Sequence, residues 1–345
     1  MSTRQTIAEV DAIFASVGLQ HGRRASRKGA WSSGERTGVG TGAIRRPRLA
    51  AAAQGPSIVQ IPGWDKLPWL RHGFSTRLGG ASKVYGPGEL NLGWTAADNP
   101  KLVSKNRRIL QRAVGAPRMP LVALRQSHTG IIHAIHHIDH PFATPEGKAI
   151  LRGDGIMTGI SGILLAVQVA DCVPVLVVDK KNRAVAAFHA GWRSTLKRIV
   201  ERGIGSMRLQ YGSRPQDLIA AIGPAIGPCC YAVGEEVRHD FLSQFAYAEA
   251  LFSEVYDSDP VREKYPLLFL TARAPGHSPI GPQLHIDLWE ANRRQLLDAG
   301  LSARNITVTG QCTACATTPS GGRKYFSHRA DHGFGGRMMG VIAIA

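Results

Sequence analysis

Ile163-Leu164-Leu165-Ala166-Val167-Gln168-Val169, then Ala170-Asp171-Cys172, then Val173-Pro174-Val175-Leu176-Val177-Val178, is the stretch that decides the fold. Both flanking runs are apolar, rich in β-branched residues and too short for helices, so they read as two buried strands. A third run, Ala184-Val185-Ala186-Ala187-Phe188, reads as a strand ending at His189-Ala190-Gly191-Trp192-Arg193. A carboxylate, a thiol and an imidazole therefore stand at strand ends, where side chains converge on pockets. These residue types supply metal ligands, nucleophiles and proton carriers, which makes this the candidate reaction centre.

Outward from that stretch, strand and helix signals alternate irregularly. Asp98-Asn99-Pro100 caps and starts a helix whose apolar stripe is Leu102, Val103, Ile109, Leu110 and Val114. A strand at 121–124 follows and delivers Gln126-Ser127-His128. Residues 192–211 have helical spacing that Gly203 and Gly205 weaken, and 218–222 is a further strand. Helices are expected at 235–245 and 287–299, and late strands at 306–308 and 341–344. No Pro/Ser-rich linker divides this body and no internal repeat appears. The pattern predicts one α/β (mixed α+β) domain over 58–345, with β-sheets flanked by helices.

Composition narrows the setting. A chain of 345 residues with 43% hydrophobic content supports a sizeable core. No apolar stretch reaches the length of a membrane span. Residues 1–10 are mixed and polar, unlike a secretion signal. Five widely spread cysteines form no disulfide framework, so a reducing cytoplasm is expected, with thiols free or metal-bound. Residues 1–55 carry nine Lys or Arg against three acidic residues, a net of +6 within the chain's +17. That leader reads as disordered after a short helix near 7–17. The charge left on the body suits nucleic acid or phosphate-bearing small substrates. No aromatics interleave with the basic residues, so nucleic-acid binding is not the expected function.

Cys172 and His189 flank adjacent apolar segments, and His128 follows a third. Two imidazoles and one thiolate can hold zinc and leave a fourth position open for water or substrate. The intervals of 44 and 17 residues match no compact metal motif, so a metal-free cysteine-hydrolase dyad of Cys172 and His189 stays open beside it. Cys312-Thr313-Ala314-Cys315 lacks a second ligand pair, and Cys229-Cys230 reads as turn packing. A multicopper oxidase needs several His-x-His pairs and a His-Cys-His segment, and the thirteen histidines form neither. His133, His136, His137 and His140 read as an exposed loop. The zinc-deaminase signature, His-x-Glu with Pro-Cys-x-x-Cys, is also missing.

The chain resembles the laccase-domain family, the multicopper polyphenol oxidase-like proteins now regarded as purine nucleoside phosphorylases with adenosine deaminase activity. His72-Gly73-Phe74-Ser75-Thr76-Arg77-Leu78-Gly79-Gly80, Leu90-Asn91-Leu92-Gly93 and Gln126-Ser127-His128 carry the resemblance. Ala170-Asp171-Cys172-Val173-Pro174-Val175, His189-Ala190-Gly191-Trp192-Arg193 and Ala221-Ile222-Gly223-Pro224 continue it in the family's order. Gly227-Pro228-Cys229-Cys230-Tyr231, Gln311-Cys312-Thr313 and Phe326-Ser327-His328-Arg329 complete it. Ser194 stands where the family commonly has Gly, Ala232 where an acidic residue often follows Tyr, and His328 where Tyr often precedes Arg.

The resemblance implies a cysteine-hydrolase-like fold and a zinc site of His128, Cys172 and His189, with copper the less expected metal. It also implies phosphorolysis of adenosine, inosine or methylthioadenosine to free base and ribose 1-phosphate. Arg77, Arg193 and Arg329 are candidates for phosphate, because guanidinium forks match phosphate oxygens. Asp171 either handles a proton at the base or accepts hydrogen bonds that orient a ligand.

Overall fold

Two sheets face each other, and the stretch 163–178 crosses from one to the other. The computed structural model describes residues 55–138, 141–255 and 283–345. The expected leader, its short helix and His140 lie outside the described residues. In chain order come β1 (Ile58–Val59), β2 (Leu70–Ser75), β3 (Leu78–Ser82), α1 (Pro100–Ala113), β4 (Leu121–Ala123), β5 (Ile132–Ile135) and β6 (Gly155–Thr158). The central run is β7 (Leu164–Val169), β8 (Val173–Asp179) and β9 (Ala184–Ala190), followed by α2 (Trp192–Leu196) and α3 (Ile199–Tyr211). Then come β10 (Leu218–Ile222), α4 (Glu235–Leu242), β11 (Phe252–Val255), β12 (Gln283–Ile286), α5 (Leu288–Asp298), β13 (Ile306–Val308) and β14 (Met338–Ile344).

One sheet has the order β1-β2-β14-β7-β4 and the other β13-β10-β8-β9-β6-β5, while β11 and β12 pair by themselves. Both large sheets are mixed: β4 runs parallel to β7 and β13 to β10, whereas β8, β9 and β14 pair antiparallel. Period-2 alternation explains the apolar runs. On β8, Leu176 and Val178 enter the layer between the sheets, while Val173, Val175 and Val177 face the helices α2, α3 and α5. On β7, Leu165 and Val167 enter the same inner layer, while Leu164 and Ala166 face the α1 side. Strands buried on both faces show no polar side, so they read as continuous hydrophobic segments.

The expected mixed α/β domain is present over the described residues, with local differences. Asn99 caps α1 by accepting the Lys101 N–H at 2.9 Å, and Asp287 caps α5 by accepting from Glu290 N–H. The single helix expected at 192–211 is two helices. Arg198 takes a left-handed conformation (φ 56°) between them, and its guanidinium reaches Glu201 and the Gln244 carbonyl. The second of them, α3, forms through Gly203 and Gly205. A Cβ at Gly203 would lie 2.3 Å from the Phe188 ring, so glycine permits the helix to rest on the sheet. Strand β9 runs on through His189 to Ala190, two residues past its expected end.

Candidate metal centre and cleft

His189 sits in β9 opposite Pro174, with its side chain on the same strand face as Val185 and Ala187. Cys172 immediately precedes β8, after the residue at which the chain changes sheets. That residue, Asp171, has φ 93°, an uncommon conformation for a side-chain-bearing residue that accompanies the sharp passage between sheets. His128 lies beyond β4 in a loop and is also left-handed, with φ 58°. Gln126 holds that loop to β7, donating to the Gln168 carbonyl and accepting the Gln168 N–H, both at 2.7 Å.

The three side chains meet. Cys172 Sγ lies 3.6 Å from His128 Nε2, and the two imidazole centroids are 5.0 Å apart at 68°. One donor atom from each residue falls within 4.8 Å of the others. The backbone at Gly191 lies against this group, and an added Cβ would stand 2.7 Å from His128 Cδ2 and 2.9 Å from Cys172 Sγ. Glycine in His189-Ala190-Gly191-Trp192 is therefore a space requirement of the donor set.

Asp154, which no reading of the sequence singled out, organises two of the three donors. Its carboxylate is fully buried and accepts from His189 Nδ1 at 2.8 Å, which leaves His189 Nε2 for the shared centre. The same carboxylate accepts the backbone N–H of Ser127, His128 and Thr129 and the Thr129 hydroxyl. It thus sets one imidazole through its ring and the other through its backbone. Burial alone would raise the Asp154 carboxyl, but His189 and the Thr129 donors hold it well below the usual carboxylate range. The only sequence signal was a carboxylate between Gly153 and Gly155 ahead of an apolar strand.

Enclosure also opposes charge on Cys172 and His189, and their mutual attraction wins. The His189 charge and both imidazoles bring the Cys172 thiol down to about 6. Cys172 and Asp154 push His189 up to about 9. Without a metal, each charge favours the other, so the thiolate and the imidazolium stabilise one another. With one, a cation takes the proton's place among the same donors.

A cleft of about 550 Å³ opens over the three donors, lined also by Trp94, Arg125, Gln126, Lys148, His328 and Arg337. That volume lies in the ordinary small-molecule range. The cations Arg125, Lys148 and Arg337 and the indole of Trp94 were not foreseen, because none sits in a patterned segment.

The other expected site residues divide. Arg77 does not line this cleft. It is buried in an ion pair with Glu89, its Nε 2.8 Å from Oε1, and its guanidinium stacks 4.6 Å over Phe326. Arg193 and Arg329 are exposed, the first over the Trp192 ring and the second over Tyr231. Burial, then the charge of Cys172, pushes the Tyr231 phenol up to about 12 while Arg329 and Arg193 oppose, and neither arginine lines the cleft. The Asp171 carboxylate accepts the Thr313 hydroxyl and the Arg329 N–H, each at 2.7 Å. It joins two C-terminal loops to the sheet crossing. The expected exposed histidine loop is in part a strand: His133 lies half-buried in β5 with Nε2 against the Arg152 carbonyl, and His136 faces Tyr211. Among the described residues these histidines form no joint donor group.

Comparison with known proteins gives the family. The family described as "Multi-copper polyphenol oxidoreductase laccase" matches residues 71–345. A purine nucleoside phosphorylase YlmD of Geobacillus stearothermophilus is 34% identical over 272 residues, covering 78% of this chain and 88% of the relative. The protein of that name from Bacillus subtilis is 32% identical over 295 residues, covering 84% and 95%. Among solved structures, the hypothetical protein YfiH of Bacillus licheniformis superposes with a TM-score of 0.68 at 28% identity, covering 84% of this chain and 97% of its own. The crystal structure of the Geobacillus YlmD gives 0.66 at 30% identity, covering 85% and 97%. With a family match over residues 71–345 and relatives that align along most of its length, the chain belongs to the laccase-domain family, whose relatives are named purine nucleoside phosphorylases.

Proposed function

We propose that the chain is a zinc-dependent purine nucleoside phosphorylase acting in the cytoplasm, and that the same centre deaminates adenosine. The observation that carries this reading is the His128–Cys172–His189 group at the base of the cleft, in a chain whose relatives bear that name. Two donors on one tetrahedral zinc stand roughly 3.5 Å apart, and the 3.6 Å between Cys172 Sγ and His128 Nε2 fits that span. A thiolate and two imidazoles, one backed by a carboxylate, are a donor set suited to zinc. Zinc held there would supply Lewis-acid polarisation of the substrate.

In phosphorolysis the C1′–N9 bond breaks, its electron pair leaves with the purine, and a phosphate oxygen bonds to C1′. The residues of this chain bind and orient the two reactants. Trp94, whose ring carries the Arg107 guanidinium at 4.6 Å, lines the cleft and gives the purine apolar surface. Arg125, Lys148 and Arg337 line the same cleft as cations for phosphate, and Arg193 and Arg329 supply two more beside Tyr231. Asp171 acts by positioning Arg329 and Thr313, both of which its carboxylate already holds. Arg77, committed to Glu89, supports the Phe326 loop.

Incubating the purified chain with adenosine and phosphate tests the proposal. Adenine with ribose 1-phosphate reports phosphorolysis, and inosine with ammonia reports deamination. A zinc-loaded protein that turns over none of adenosine, inosine or methylthioadenosine would sink it. The Asp154–His189–Cys172 chain also favours a second reading, a metal-free cysteine hydrolase. A covalent adduct on Cys172 in a zinc-free, active preparation would select that one.

A further inference from the structure

Four cysteines that the cleft does not use gather at a second place. Cys229, Cys230, Cys312 and Cys315 all have Sγ atoms within 4.8 Å of one another. Two turns present them. The first follows Gly227, whose carbonyl accepts the N–H of Cys230 and Tyr231 at 3.0 Å each. The second is the Cys312–Cys315 turn, closed by the Ala316 N–H to the Cys312 carbonyl. Ala225 pairs with Cys312 as a parallel bridge, and the Gly227 N–H donates to Cys312 Sγ at 3.3 Å. Backbone N–H groups aimed at a cysteine sulfur are the outer support that thiolate ligands use.

The spacing matches a single ion. Zinc–sulfur bonds of about 2.3 Å place tetrahedral thiolates roughly 3.8 Å apart, and Cys229 Sγ lies 3.7 Å from Cys315 Sγ. A disulfide needs about 2.05 Å, and all four thiols are free. Hydrophobic packing does not account for the cluster either, because Cys229 and Cys315 are exposed. We infer that Cys229, Cys230, Cys312 and Cys315 form a closed, tetrathiolate zinc site, separate from the three-donor centre in the cleft. Its work is structural: it clips the turn that carries Tyr231 to the turn that carries Thr313, both of which face the Cys172 neighbourhood. Four protein ligands leave no open position for substrate, unlike the three in the cleft. The inference concerns metal content and stands apart from the proposed reaction.

Metal analysis of the full chain, expressed with zinc and purified under reducing conditions, tests it. Wild type should hold two zinc ions per chain, Cys172→Ala one, and the Cys229→Ser/Cys315→Ser double variant one. Cobalt(II) substitution in Cys172→Ala reads the second site without altering it, through the strong thiolate-to-cobalt charge-transfer absorption. That band should persist in Cys172→Ala and vanish when Cys229→Ser and Cys315→Ser are added to it. A Cys172→Ala protein with neither zinc nor the cobalt–thiolate band would overturn the inference. So would a Cys229–Cys315 disulfide after anaerobic purification, or iron in place of zinc.

Discussion

The two sulfur-bearing groups of this molecule differ in what holds them. His128, Cys172 and His189 sit on or beside strands of two packed sheets, and a buried carboxylate orients two of the three. Cys229, Cys230, Cys312 and Cys315 sit on turns, supported by short backbone bonds and by one another. The first group is held by the core and opens on a cleft; the second has four cysteines of its own, two of them exposed. A rigid frame can present an incomplete donor set, whereas turns become rigid only once their ligands share an ion.

The largest difference should appear when one sulfur is removed from each group. Cys172→Ala takes the thiolate from the cleft, and losing metal polarisation worth several kcal/mol should lower phosphorolysis roughly 10³-fold. Circular dichroism should show the fold intact, because the flanking strands bury their own cores without that sulfur. A Cys172→Ala enzyme with full turnover and unchanged zinc would erase the distinction between the groups.

Asp154→Asn probes the frame rather than the ligands. It keeps the side-chain shape but removes the charge that accepts from His189 and from the Ser127–Thr129 backbone. Loss of such an outer partner should weaken zinc binding or turnover about 10- to 100-fold. Competition with a chromophoric chelator measures it, and zinc on the four-cysteine group should stay in place. Equal loss from both groups would show that Asp154 serves the whole fold instead.

Titration sharpens the contrast in metal-free protein. Cys172, held near 6 by His189, should alkylate at a constant rate above about pH 7 and at about half that rate near pH 6, slowing as pH falls further. Cys229, pushed up to about 12 by partial enclosure and by the neighbouring Cys312, should react slowly throughout neutral pH although much of its surface is open to solvent. Peptide mass spectrometry after iodoacetamide labelling separates the two. A Cys172 that titrates near its ordinary value would remove the His189 pairing from the account.

The smallest effect is expected from the leader. We propose that residues 1–55 are dispensable, since the family match begins only at residue 71 and the leader is basic and poor in aromatics. Turnover and melting temperature of the truncated chain should match those of the full one. A marked drop in either would assign the leader a place in the fold.

Much of the centre was legible because its ligands adjoin strongly patterned segments. Cys172 and His189 flank runs whose β-branched content marks buried strands, and His128 follows a third. Asp154 was not legible. A lone carboxylate between two glycines is common, and its importance comes from a ring 35 residues away and three N–H groups about 25 away. The two cysteine pairs likewise looked weak separately, because each lacked the other until the Ala225–Cys312 bridge brought their turns together.

The central strands β4, β7–β10, β13 and β14, the caps of α1 and α5 and the apolar character of the core were determined by the sequence alone, since burial on both faces and capping leave a local record in residue type and period; β1–β3, β5, β6, β11 and β12 left no such record. Only the tertiary structure decided that the chain changes sheets at Ala170-Asp171-Cys172, so that β7 and β8 bury their inner faces against each other's sheets. It alone decided which donors meet. Convergence depends on contacts spanning 44 residues at Cys172 and His128 and 85 at Gly227 and Cys312, and no local pattern encodes contacts over such separations.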